Sequence, residues 1–203
     1  LTEEAVRDTL FLGELGLNGE IKRVKGVLPI VREAADKGIG RVIVPRENAL
    51  EAAVIPGITV WGVGKLGELI MALLHPDAEN EKIYKPRIRA EELLQKKNAD
   101  RRGDFKEVSG QESARRGAMI AAAGFHNLLM MGPPGVGKSM IAGRIPGILP
   151  PLTLEESLEV TSIYSVAGLL TPEQALITER PFYAPHHTVT AAALIGGGNA
   201  YPR

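Results

Sequence analysis

Residues 132–139 read Gly-Pro-Pro-Gly-Val-Gly-Lys-Ser. The spacing G-x-x-x-x-G-K-[ST] suits a loop that holds a polyphosphate. Glycines at 135 and 137 let the backbone turn so that several N–H groups point inward, where a β-carbon would crowd phosphate oxygens. Lys138 would bring positive charge to the β and γ phosphates, and Ser139 would offer a hydroxyl to Mg²⁺. A helix starting near Lys138 would aim its positive end at the same anion. These residues predict nucleoside triphosphate binding by Gly132, Pro133, Pro134, Gly135, Val136, Gly137, Lys138, Ser139 and Met140. The backbone from Gly135 to Met140 would donate the hydrogen bonds.

Such a loop works only between a strand and a helix, and the flanking sequence predicts both. "HNLLMM" (126–131) reads as a buried strand, and "KSMIAGRI" as a helix that Pro146 ends. Upstream, "SGQESARRGAMIAAAG" reads as a helix with a capping box, Ser109 with Glu112, closed by Gly124. Downstream, Thr153 with Glu156 is a second capping box, and "TPEQALI" predicts a helix with Pro172 at its first position.

The first eighty residues have a different texture. "LGELGLNGEI" (12–21) predicts a hairpin turning at Asn18-Gly19 as a two-residue type I′ turn. Helices are expected over 27–38, stopped by Gly38, over "ENALEAAVI" and over 65–74. Strands are expected over 41–45 and 58–63, with Trp61 as core. Alternating strands and helices predict a helix-covered sheet. From Pro76 to Gly103 the chain is polar and rich in Lys and Arg, which reads as a solvated linker with a short helix over 90–97. The other reading is a basic strip facing nucleic acid.

Composition narrows the classes. Lys and Arg number 24 against 24 Asp and Glu, so no strong overall field draws nucleic acid or membrane. No cysteine is present, which excludes disulfides and thiolate metal sites and fits a cytoplasmic location. No apolar run approaches the ~20 residues of a membrane span. The start at Leu1 reads as the edge of a longer protein.

"FKEVSGQ" (105–111) ahead of the phosphate loop resembles the opening of an AAA+ ATPase module. The resemblance implies ATP and Mg²⁺ as cofactors, a catalytic role for Lys138, and an adenine pocket lined by Val108, Gly110 and Gln111. "GPPGVGKSMIAGRIPGILPPLTLEE", "SVAGLL", "RPFYAPHHT" and "ALIGGG" resemble the magnesium-chelatase-like ATPases of the YifB/ComM group. "FLGELGLNGEIKRVKGVLPI" and "RVIVPRENALEAAVI" resemble that group's amino-terminal domain, which is similar to the Lon protease domain and the ribosomal S5 fold. The implied fold class is α/β. Residues 1–80 would be the carboxyl portion of an S5-like domain, 81–103 a linker, and 104–203 the amino half of a P-loop AAA+ domain. The implied whole is a hexameric ring motor, each site completed by a neighbouring copy's arginine. DNA is the implied substrate, since ComM is associated with branch migration.

Some features depart from that pattern. Lon-type peptidases carry the lysine of a Ser–Lys dyad just after "VLPI", within a Gly-Gly-apolar-Lys run. Here Val31-Arg32-Glu33-Ala34 stands there, and Lys37 is out of register. Arginine cannot release a proton near neutral pH, so peptidase activity is not expected. No apolar strand ending in Asp-Glu follows Ser139, so this chain alone is expected to bind ATP with negligible hydrolysis. His186 and His187 read as structural or surface residues, the other reading being substrate contact together with Thr188. The glycine cluster over 195–199 reads as a loop. Two rival functions remain, a chelatase-type motor acting on a protein partner and a nucleotide-sensing module without turnover.

Overall fold

A computed structural model describes residues 6–75, 81–98, 105–185 and 188–190. Its elements run β1 (Thr9–Phe11), β2 (Glu14–Leu15), β3 (Ile21–Lys22), α1 (Val27–Asp36), β4 (Arg41–Pro45), α2 (Ala49–Ala52), β5 (Thr59–Val63), α3 (Leu66–Leu74) and α4 (Ala90–Asn98). Then come α5 (Glu112–Ala123), α6 (Lys138–Ile148) and α7 (Leu154–Ala167), with 3-10 turns at Arg46–Asn48 and Phe105–Glu107. The architecture is mixed α/β with a parallel sheet. Two compact units emerge, Leu1–Arg102 with Pro150–Glu179, and Gly103–Leu149 with Arg180–Arg203. Compactness thus groups the chain differently from the expected boundaries at 80 and 103.

In the first unit three parallel strands lie in the order β1-β4-β5. Thr9 stands opposite Arg41, and Arg41 opposite Thr59. β4 is central and covered on both faces, which is why it reads as an unbroken apolar run. Val42 and Val44 point into one cluster with Val27, Leu28 and Val31 of α1, whereas Ile43 points into another with Val63, Leu69 and Leu73. Helix α1 ends as expected, with Gly38 at φ 80° and its N–H on the Ala35 carbonyl at 2.9 Å. Trp61 is half-buried against the second cluster, with the cations of Arg41 and Lys85 each 4.8 Å from its ring centroid.

Three sequence expectations are corrected in this unit. The hairpin exists, with Glu14 opposite Lys22, but its loop has three residues. Gly16 N–H bonds the Glu20 carbonyl and Gly19 N–H bonds the Gly16 carbonyl, and only Gly19 is left-handed, at φ 79°. A tight turn with one left-handed glycine closes the strands, so Asn18 needs no positive φ. The segment after residue 80 is more than a solvated connector. Tyr84 pairs with Gly62 through two backbone bonds of 2.7 and 2.9 Å, and Ile83, Ala90 and Leu94 are buried. Its few apolar residues suffice because Ala90 and Leu94 share one helix face. "TPEQALI" forms a single turn, Gln174 N–H to the Thr171 carbonyl at 3.0 Å, not a helix. Side chains of α7 take its backbone groups instead: Thr161 Oγ1 accepts from Ile177 N–H at 2.9 Å, and Ser157 Oγ donates to the Ile177 carbonyl.

Polar residues, not apolar ones, lead the buried face of α7. Ser157, Thr161 and Ser165 are buried at four-residue spacing, while Ile163 and Val166 stay exposed. The helix starts at the expected capping box, Thr153 N–H to Glu156 Oε2 at 2.8 Å and Glu156 N–H to Thr153 Oγ1 at 3.2 Å. Near its other end Ser165 donates to the carboxylate of Glu51, itself 4% exposed. That carboxylate also accepts from Leu28 N–H at 3.0 Å and Asn48 Nδ2 at 3.1 Å. It serves as the missing cap of α1, whose N-cap is Gly26. Asn48 in turn holds Val24 through both its N–H and its carbonyl, at 3.1 and 2.9 Å.

Glu51→Ala would leave the Leu28 N–H and the Ser165 hydroxyl without an acceptor and Asn48 Nδ2 with one of its two. We predict a loss of about 2–4 kcal/mol in urea unfolding. A loss below roughly 0.5 kcal/mol would mean the buried carboxylate is not what holds these elements together.

Candidate functional site

The second unit contains the glycine loop. Gly135 and Gly137 sit at φ 83° and 87°, the left-handed region that a side chain strains. Helix α6 begins at Lys138, directly after Gly137, as the motif requires. Its first internal bond runs from Ile141 N–H to the Gly137 carbonyl at 3.0 Å. The amides of Gly137, Lys138, Ser139 and Met140 therefore have no acceptor within the helix. Lys138 folds back over the loop, its Nζ donating to the carbonyls of Gly132 at 2.8 Å and Pro133 at 2.7 Å. Ser139 is exposed one residue further on. The result is a concave turn with unpaired amides, a cation leaning across its mouth and a hydroxyl at its rim. An anion with several oxygens fits that donor set.

The elements on either side depart from the sequence expectations. Residues 126–131 form no strand, and Leu129 and Met131 are 81% and 86% exposed. A strand needs a neighbour for its backbone groups, and none of the described residues of this unit supplies one. Pro146 lies inside α6, which runs on to Ile148. Proline removes one N–H, but the turns before it are held by the packing of Ile141 and Ile145. The Ser109 capping box is absent. The N-cap of α5 is Gln111, left-handed at φ 54°, and no side chain caps the helix. Two left-handed residues in a row, Gly110 at φ 70° and Gln111, carry Ser109 away from the helix axis.

Of the residues expected around the base, Val108 is 1% exposed and packs with Phe105, Ala118 and Ile141, while Gly110 and Gln111 are exposed. Val108 thus ties its segment to α6 through Ile141. Sequence reasoning missed a second tie. Arg144 of α6 donates to Glu107 Oε2 from Nε at 3.3 Å and from a terminal nitrogen at 3.0 Å. The signal was faint, an acid before "VSGQ" and an arginine six residues after the motif's lysine.

Elsewhere, Arg32 pairs with Glu155 at 2.7 Å. Hydrogen bonding to Glu155 raises its pKa above the usual arginine value, so it stays a cation. Lys37 pairs with Glu33 at 3.0 Å. His186, His187 and the 195–199 glycine cluster lie outside the described residues. No helix among the described residues is long and apolar enough to cross a membrane.

Comparison with known proteins adds independent findings. A family model described as magnesium chelatase, subunit ChlI, matches residues 104–203. Another, described as subunit ChlI of Mg-chelatase, matches residues 1–48. An uncharacterized protein of Mycobacterium tuberculosis is 46% identical over 200 residues, 98% of this chain and 38% of the relative. YifB of Escherichia coli is 36% identical over 198 residues, 98% of this chain and 37% of its own length. The competence protein ComM of Haemophilus influenzae is 36% identical over 194 residues, 93% and 36% respectively. The chain therefore spans less than two fifths of the length of these relatives.

Gly137→Val would place a branched side chain at φ 87°, with its β-carbon 3.4 Å from the end of Met140. A strain of about 1–2 kcal/mol at the helix start is expected. Hydrogen exchange at the Ile141 amide should accelerate roughly 5–30-fold. Unchanged exchange would show that the loop does not depend on a left-handed residue there.

Proposed function

Because the chain belongs to the magnesium-chelatase ChlI-like family that also holds YifB and ComM, we propose that it is the ATP-binding part of an AAA+ motor. Residues 1–80 are then the carboxyl portion of the Lon-like, S5-like domain without a catalytic dyad, and residues 104–203 the front of the P-loop domain. The observation that carries this reading is the loop itself, left-handed at Gly135 and Gly137 with Lys138 folded across it. Chance glycine-rich turns lack the lysine and the helix start together.

In this reading the amides from Gly135 to Met140 bind the phosphates, and Lys138 leaves the two loop carbonyls to neutralise the β and γ oxygens. Ser139 would offer its hydroxyl to Mg²⁺, which would supply charge neutralisation to the phosphates. The exchange costs little, because a charged donor gives up carbonyl acceptors for charged oxygens. Val108, Gly110 and Gln111 flank the adenine. Copies of the intact protein assemble into a ring, a hexamer by family resemblance, so that a neighbour's arginine completes each site in the cytoplasm. The resemblance to the ComM group, associated with branch migration, favours DNA as the substrate. The family description favours a second reading, a chelatase-type motor that remodels a protein partner.

Calorimetry on the intact protein at millimolar Mg²⁺ tests binding. ADP and ATP should bind, and Lys138→Ala should weaken ATP at least about tenfold, or ~1.4 kcal/mol. No uptake by folded protein sinks the reading. ATPase turnover that rises with branched or single-stranded DNA separates the DNA motor from the chelatase-type one.

A further inference from the structure

The phosphate end of the site is built by α6, and the base end by the segment from Phe105 to Gln111. Nothing in the motif fixes the distance between them, yet a nucleotide has one length. Two contacts hold the segment to the helix. Below the surface, Val108 and Phe105 pack on Ile141, all three at most 3% exposed. At the surface, the guanidinium of Arg144 grips two points at once. Nε and one terminal nitrogen hold Glu107 Oε2, and the other terminal nitrogen donates to the Met140 carbonyl at 3.3 Å. Met140 is in the first turn of α6, whose free amides belong to the phosphate cradle. One planar cation therefore touches the turn that binds phosphate and the residue beside Val108.

Just beyond Val108 the backbone runs through Gly110 and Gln111, both left-handed. A non-glycine residue in that region is held there by its surroundings. The segment is thus pinned on its amino side by Arg144 and released on its carboxyl side into α5.

We propose that Arg144 and Glu107 are positioning residues that set the spacing between the purine end and the phosphate end of the nucleotide site. This rests on the ATP-binding reading given above. The pair is partly exposed, 27% and 47% by side chain, so it contributes little to folding. Its effect belongs to binding geometry. Arginine is needed because three nitrogens in one plane make these contacts, which the single amine of a lysine cannot reproduce.

The test compares ligands that share a diphosphate but differ in the base. ADP and inorganic pyrophosphate are titrated calorimetrically, with Mg²⁺, into the intact protein and its variants. In Arg144→Ala and Glu107→Ala, ADP affinity should fall about 3–10-fold while pyrophosphate affinity changes less than about twofold. Arg144→Lys should recover only part of the loss. The double exchange Glu107→Arg with Arg144→Glu should recover more than either single change, and Tm should move by no more than about 2 °C. Parallel losses for both ligands would overturn the proposal, since they would mean general damage to α6. Unchanged ADP affinity would overturn it too. Wild-type protein that binds neither ligand would instead overturn the ATP-binding reading itself, and this proposal with it.

Discussion

A peptide chain of L-residues does not readily turn its amides inward over a few residues. Left-handed backbone at Gly135 and Gly137 removes that obstacle, and the second unit is arranged around it. Because Gly137 is left-handed, α6 can start at Lys138 with the amides of Gly137, Lys138, Ser139 and Met140 free of intrahelical acceptors. Lys138, the first residue of that helix, folds back to bond two carbonyls of the loop.

The first unit rests on a buried carboxylate in the same way. Glu51 draws donors from α1, from the 3-10 turn at Asn48 and from α7, three pieces far apart in sequence. A second bond, Gly26 N–H to the Ser165 carbonyl at 3.1 Å, joins the same two helices. Without the carboxylate the Leu28 N–H and the Ser165 hydroxyl would be orphaned, which makes the cluster intolerant of partial change. Through it the helix that follows the phosphate-loop helix in the chain, after five residues, packs as part of the first unit. Sequence order and packing order therefore differ.

The two sites use charge differently. At the loop, the lysine is partly exposed and held by neutral carbonyls, so it stays available. At Glu51 the charge is enclosed and fully hydrogen-bonded, so it is structural. Arg144 and Glu107 lie between these extremes, exposed enough to cost little and placed where geometry matters more than energy.

Local chemistry settled much of this protein from the sequence. The glycines of the loop, the start of α6, the capping box at Thr153, the stop at Gly38 and the strands at 41–45 and 59–63 depend on neighbours within a few residues. A reader of the string can find them for that reason. Tertiary structure decided what depends on distant partners. Residues 126–131 look like a strand, but pairing needs a neighbour that a single segment cannot specify. Helix α7 buries serines and threonines because Glu51 and the backbone of Ile177 meet them there, which no hydrophobic pattern encodes. Likewise Pro172 opens a turn and not a helix, and Thr161 and Ser157 of α7 bond the N–H and the carbonyl of Ile177. The tie between Arg144 and Glu107, 37 residues apart, has the same origin. Backbone preference is written in adjacent residues, whereas the partner of a buried polar atom is fixed only when the chain has closed.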